Sequence, residues 1–328
     1  MRNPEMKIWC ALIATLVAFL CTAPAVHAQE AYPNKPVKVI VPFAPGGPSD
    51  VTARIIFAEM SKNVGKQFVI ENHAGGAANI GITLAARSAP DGYTVLLSSS
   101  SLWINPNTYA KVAYDPVKDF IPISLVATTP NSLVVHPSIP AKTVKELVDI
   151  LRAAPGKYTI ANPGTGTPPH LSGELFKHAL NLETTSVPFG GGGPMIQSVV
   201  GGHTPIAFSS MPPAAPQIKA GTIRALAVTA LKRSPAVPDI PTMTEAGYPG
   251  QEGDTPQGML VPAGTPQPIV DFLYRELMKV MQTEDVKQKL ANAGLEVVAN
   301  TSAEFATVIK EDGAKWGRVV KDAGIKLE

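Results

Sequence analysis

Cysteine is nearly absent from the 328-residue chain; the two present, Cys10 and Cys21, both fall in its first 21 residues. Beyond them there can be no disulfide and no thiolate metal ligand. Excess charge is missing too. The 28 basic and 26 acidic residues leave a net charge of +2, without the strong basic footprint that nucleic-acid binding requires. Past residue 20 no apolar run is long enough to cross a bilayer. Proline and glycine, by contrast, are plentiful at 32 and 27, which points to many loops and tight strand-to-helix turns. No segment is biased enough toward them to be a low-complexity linker. With 45% apolar and 16% charged residues the chain is a folded one, with room for two domains.

The usual marks of catalysis are also missing. Gly164-Thr165-Gly166 opens like a dinucleotide fingerprint, but Pro169 stands at the third glycine position and Glu183 precedes its strand. There is no P-loop, no Gly-x-Ser-x-Gly elbow and no His-Glu-x-x-His helix. His73, His136, His170, His178 and His203 are not paired at metal-ligand spacing. We therefore expect no enzyme, no metal and no cofactor.

Residues 1–28 read as a secretory signal peptide. Arg2 and Lys7 give a positive start, Ile8 to Leu20 is a short apolar run, and Val26-His27-Ala28 offers a cleavage site before Gln29. Leu20 occupies the position before Cys21 where lipidation needs a small residue. Arg2, Lys7 and Glu5 leave with the leader, so the net charge falls by one.

Short β-branched runs then alternate with amphipathic segments. Strands are expected at 37–41, 67–71 and 93–97, with helices at 51–63 and 77–87. A second series begins near Ser132, with strands at 133–135, 158–160, 185–187, 206–208 and 225–228 and helices at 143–153, 168–180 and 194–200. Residues 266–281 and 302–322 read as helices. Two βα series imply two lobes, each a mainly parallel sheet flanked by helices.

Three glycine-rich turns sit between a strand and a helix. The first contains Phe43, Ala44, Pro45, Gly46, Gly47 and Ser49; the second contains Asn162, Gly164, Thr165, Gly166 and Thr167, with His170 beside it; the third contains Phe189, Gly190 and Gly191. Glycine lets backbone N–H groups approach a ligand, and a helix N-terminus adds partial positive charge. In open α/β sheets such turns lie at the strand ends where ligands bind. Together they describe an anion site made mainly of backbone; the plainer alternative is three tight βα turns. Ser49 or Asp50 can cap the first helix and Thr167 the second, before Pro168. Asp50 is expected to cap rather than face an anion. His170 either fixes its loop or touches ligand. Ser98, Ser99, Ser100 and Asn105 follow the third strand and can supply hydroxyls and an amide, or form a polar turn.

These blocks, in this order, resemble the substrate-binding proteins of tripartite tricarboxylate transporters, the Bug family of periplasmic receptors. The similarity runs through Tyr32-Pro33-Asn34-Lys35-Pro36, Val41-Pro42-Phe43-Ala44-Pro45-Gly46-Gly47, Ala89-Pro90-Asp91-Gly92-Tyr93, Pro163-Gly164-Thr165-Gly166-Thr167 with His170-Leu171, Val187-Pro188-Phe189 and Glu245-Ala246-Gly247. It implies a type II periplasmic-binding-protein fold with the ligand between lobes: 29–131 and a returning 251–328 in the first, 132–250 in the second. It implies a periplasmic receptor that closes on a di-/tricarboxylate or aromatic acid and delivers it to membrane permease subunits, without catalysis. A ligand-presenting sensor and a secreted enzyme of the same fold are the alternatives, and a monomer is expected. The chain departs from the family pattern at Gly47-Pro48-Ser49-Asp50, at Pro188-Phe189-Gly190-Gly191 (Pro-Tyr-Lys-Gly is typical), at Ser209, where an aspartate is common, and at Thr255-Pro256, which replaces a usual aromatic before Gly258. Losing a lysine and an aspartate suggests a larger or more apolar cavity, suited to an aromatic or longer-chain acid rather than aspartate or citrate.

Overall fold

A computed structural model describes residues 32–322 of the chain. The signal peptide read at residues 1–28 lies outside them. Two sheets organise what is described. The first is assembled from β1 (Val37–Val41), β2 (Phe68–Asn72), β3 (Thr94–Ser99), β4 (Phe120–Thr128), β10 (Gln257–Pro262) and β11 (Glu296–Val297), in the order β11-β4-β10-β3-β1-β2. The second contains β5 (Asn131–Val135), β6 (Thr159–Asn162), β7 (Thr185–Pro188), β8 (Ile206–Ser210) and β9 (Arg224–Val228), in the order β7-β6-β8-β5-β9.

Burial explains why the short apolar runs form strands. Val37, Val39, Ile40 and Val41 are all fully buried, as a central strand covered on both faces requires. In the first lobe α1 (Pro48–Val64), α8 (Gln267–Met281) and α9 (Glu284–Asn292) pack together beside the sheet, while α2 (Asn79–Ala86), α3 (Ser101–Thr108) and α10 (Ser302–Asp322) form a second group. In the second lobe α4 (Val144–Ala153) and α5 (Pro168–Ala179) share one core with β5, β6 and β8. Helices α6 (Gly192–Val200) and α7 (Met211–Lys219) share another.

Each sheet is mixed, and the expected parallel pairing describes one part of it. β1 pairs in parallel with β2 and β3, as β6 does with β7 and β8. β10 is antiparallel to β3 and β4, β11 to β4, and β5 to β8 and β9. The reason is the route of the chain. β5 and β10 are each the first strand after a crossing between lobes, so they start at the cleft and run away from it. Asn131 at the start of β5 pairs with Ser210 at the end of β8, and Gln257 at the start of β10 pairs with Ser99 at the end of β3.

Six elements were not read from the sequence pattern: α3, β4, α7, β10, α9 and β11. Proline hid three of them. Pro106 lies inside α3, Pro122 inside β4 and Pro216 inside α7.

The crossings are tied by a buried polar network. Thr129 and Thr255 exchange backbone hydrogen bonds of 3.2 and 2.7 Å. The Thr255 hydroxyl donates to Asn131 Oδ1 at 2.7 Å, and Asn131 Nδ2 donates to Ser172 Oγ and the Gly253 carbonyl. The C-terminal helix is docked through aromatics. Gly258 of β10 has no side chain because the Phe305 ring of α10 occupies that space. Phe305 meets Trp103 edge-on at 5.8 Å, and Trp103 Nε1 donates to Asp312 Oδ2 at 2.7 Å. No helix among the described residues is long and apolar enough to cross a membrane.

Truncating Phe305, which is fully buried, should destabilise the first lobe by about 3–5 kcal/mol. Urea unfolding of Phe305→Ala followed by tryptophan fluorescence checks this.

Candidate ligand-binding site

Four helices begin around one cavity. Its walls include Gly47, Pro48 and Ser49 at the start of α1, Thr167, Pro168 and Pro169 at α5, Gly192 at α6 and Ser210 just before α7. Ser99 from the end of β3 and Thr255 from the crossing complete its hydroxyls, and Phe43 and Pro163 add to its apolar part. No lysine, arginine or histidine is among the lining residues. The first N–H groups of a helix lack intrahelical acceptors, and the macrodipole puts partial positive charge there. Any positive potential in the cavity therefore comes from the helix dipoles and the remaining backbone N–H groups, since Pro48, Pro168 and Pro169 have none. Its volume is about 20 Å³, room for roughly one water. The walls are mostly apolar.

The first loop is held from behind. Gly46 adopts a left-handed φ of 83° and donates its N–H to Asp50 Oδ2 at 2.9 Å. Asp50 also accepts two bonds from Arg54, at 3.0 and 2.9 Å, and one from Asn72 Nδ2, which in turn donates to the Phe43 carbonyl. The expected side-chain cap is not made: Gly47 is the N-cap, without a side-chain bond. Pro48 at the first helical position has no N–H to cap. Ser49 instead donates to Gln257 Oε1 at 2.6 Å. Burial pushes the Asp50 carboxyl up, but the bonds from Arg54, Gly46 and Asn72 outweigh it and hold the pKa below the ordinary value.

The second loop uses its own polar atoms in the same way. Thr167 is the N-cap of α5 with Pro168 next, as expected, but its hydroxyl donates to the Gly164 carbonyl at 2.7 Å rather than capping the helix. Asn162 Oδ1 accepts from Gly164 N–H at 3.0 Å. His170 Nδ1 accepts from Gly166 N–H at 3.1 Å, so the imidazole fixes the loop. Its Nε2 lies 3.6 Å from Glu174 Oε1, and Glu174 is also bound by Lys177 and Ser186. Burial, helped by Lys177 and opposed by Glu174, keeps the His170 pKa below its usual value. A neutral ring is what an accepting Nδ1 requires.

The remaining candidates divide between cleft and interior. Phe189 donates its N–H to the Asn162 carbonyl, and Ala44 N–H reaches the Gly190 carbonyl at 3.4 Å, joining the two lobes. Thr165 offers its carbonyl to the Tyr109 hydroxyl, another link between lobes. Ser99 pairs with Gln257 and faces the cavity. Ser98 pairs with Gly258, on the face that Phe305 fills. Asn105 Nδ2 donates to the Ala77 carbonyl and to Asn79 Oδ1, bracing a turn in which Ala77 and Ala78 have positive φ. Ser209 is fully buried and donates to the Ser210 carbonyl; Ser210 lines the cavity. Pro45 and Gly46 are exposed at the rim, and Gly191 is buried against Ala44. Ser98 Oγ, Ser100 Oγ, Asn105 Oδ1 and Asn162 Nδ2 are buried without a hydrogen-bond partner. Pro48, Pro163, Pro168, Pro169, Gly192, Ser210 and Thr255 line the cavity without having been candidates in the sequence. Ser210-Met211-Pro212 carried a usable signal: a strand end followed by proline in a helix's first turn.

Asp50→Asn should lower stability at neutral pH by about 1–3 kcal/mol. Because the folded pKa is depressed, the carboxylate's contribution is present above the unfolded value and is lost as pH falls through the folded one. Melting of wild type and variant between pH 8 and pH 2 should show a gap that closes below about pH 4.

Residues 52–325 match the family described as the tripartite tricarboxylate transporter family receptor. BugT of Bordetella pertussis is 32% identical over 97% of this chain and 98% of its own length. A Rhodopseudomonas palustris protein solved with adipate superposes with a TM-score of 0.88 at 34% identity, over 90% of this chain and 99% of that one. MatC from the same organism, with bound malate, gives 0.84 at 33% identity, over 88% of this chain and all of that one.

Proposed function

This chain belongs to the tripartite tricarboxylate transporter family of receptors, and from that premise we propose that it captures a small carboxylate between its lobes in the periplasm and hands it to the membrane subunits of such a transporter. The observation that carries the reading is the convergence of α1, α5, α6 and α7 on one cavity with no cationic side chain in its walls. Helix N-termini bind anions through N–H groups and dipole together. Adipate and malate, the ligands of the two R. palustris relatives, make a carboxylate the natural anion here.

A desolvated carboxylate needs charge-assisted hydrogen bonds from all sides. Both lobes line the cavity: Gly47, Ser49 and Ser99 from the first, Thr167, Gly192 and Ser210 from the second. Either lobe alone offers half a site, so binding favours closure about the crossings at Thr129–Asn131 and Gly253–Thr255, a hinge motion. We assign 29–131 and 251–328 to the first lobe and 132–250 to the second, in keeping with sheet membership. A monomer suffices, because both half-sites come from one chain. His170 is spent on Gly166, and among the described residues no group of three or more metal-ligating side chains occurs. The reading is of capture without turnover.

A thermal-shift screen of residues 29–328 against di- and tricarboxylates, aromatic acids and short acids, each beside its neutral amide, tests this. Stabilisation by an acid at a hundred times its Kd should be about 2.7 kcal/mol, several degrees in Tm, and absent with the amide. Equal shifts with acid and amide, or none with any acid, would overturn it.

A further inference from the structure

One peptide unit of the second glycine loop is held from both lobes at once. It joins Thr165 to Gly166. At its N–H end Gly166 donates to His170 Nδ1 at 3.1 Å, within the second lobe. At its carbonyl end Thr165 accepts from the hydroxyl of Tyr109, a residue of the first lobe, at 2.5 Å. A peptide unit is planar, so fixing both ends fixes its orientation. The rest of the loop is satisfied from within. Gly164 N–H donates to Asn162 Oδ1, and Thr167 donates to the Gly164 carbonyl through both its hydroxyl and its N–H. The Thr165 carbonyl is where the loop reaches across the cleft.

The first lobe is arranged to meet it. Tyr109 ends α3, where its N–H donates to the Asn105 carbonyl at 2.9 Å. Asn105 is fully buried, and its Nδ2 holds the Ala77 carbonyl. Ala77 lies opposite the same loop: a Cβ on Gly164 would come within 3.8 Å of Ala77 Cα. Asn105 thus places both the phenol and the turn that face the second lobe. Burial keeps the Tyr109 pKa above its ordinary value, so the phenol is a donor at neutral pH. Tyr109 is not among the residues lining the cavity.

We propose that Tyr109 is a positioning residue for ligand capture, whose hydroxyl latches the lobes across the cleft and sets the Thr165–Gly166 peptide; this rests on the carboxylate-receptor reading above. The bond forms only while the lobes are shut, so it favours the closed state whichever acid is bound. Tyr109 and Thr165 are both half-buried, and water takes over each partner's role when the lobes part. Apparent affinity scales with the fraction of receptor in the binding-competent state. Losing the hydroxyl therefore weakens every ligand by one common factor. A residue touching ligand would instead discriminate between acids.

Tyr109→Phe keeps the ring and removes only the hydroxyl. Residues 29–328 contain no cysteine, so Leu84→Cys and Thr185→Cys, one exposed position on each lobe, can carry a pair of spin labels in the wild-type and Tyr109→Phe backgrounds. Without any acid, the ratio of open to closed distances should rise about three- to tenfold in Tyr109→Phe, what one intramolecular hydrogen bond contributes. For each acid that stabilises wild type in the screen above, the calorimetric Kd should rise by the factor by which the closed fraction falls, and equally for all acids. Unchanged distances in Tyr109→Phe, or Kd losses that differ from acid to acid, would overturn the inference while leaving the receptor reading intact. A wild type that binds no acid, in a protein whose lobes still part on losing the hydroxyl, would overturn the receptor reading and leave the latch. No binding together with unchanged distances would overturn both.

Discussion

The structure depends on bringing the N-terminal ends of several helices to one point without bringing cationic side chains with them. Parallel βα units make this possible, because each strand delivers the next helix start to the same edge of the sheet. Helix dipoles repel one another when their positive ends converge, and here four do. In the proposed function, a carboxylate between them is the acceptor that balances them. The glycines follow from this constraint. A backbone that must turn within a few residues and expose its own N–H groups has little room for Cβ atoms, and Gly46, Gly164, Gly166 and Gly191 all sit at positive φ.

Titratable groups near the site work behind the loops rather than in the cavity. Asp50, with Arg54 and Asn72, ties Gly46 and Phe43; His170, backed by Glu174 and Lys177, ties Gly166. Each loop is thus anchored to its own helix by a charged or polar cluster outside the cavity lining. Asp50 would oppose an anion if it were free, and its oxygens are engaged by three partners. The same logic accounts for a buried histidine with a lowered pKa: its Nδ1 accepts one backbone hydrogen bond.

Much of this was legible in the sequence. The apolar runs at 37–41, 206–208 and 225–228 are strands because local burial and β-branching agree there, and Thr143 does cap its helix by accepting from Glu146 N–H. The glycine turns announced both ends of the cleft. What was not legible depends on partners far along the chain. Ser49 turns to Gln257, 208 residues away, and the role of Gly258 is visible only once Phe305 is seen to fill its space. The antiparallel strands β5 and β10 cannot be told from parallel ones by composition, since both kinds are buried on both faces. Proline misled in α3 and α7, where it sits inside short helices that tertiary packing stabilises.

Two crossings, pinned by Asn131, Thr229 and Thr255, join the lobes, and the proposed anion site lies where both lobes contribute. That shared ownership is the central claim. Its most direct test is a titration of ¹⁵N-labelled protein with an acid that stabilises it. Amide resonances of residues 43–50 in the first lobe and 164–170 and 190–193 in the second should move together, with one Kd. Movement confined to one lobe, or centred on another surface, would contradict the account.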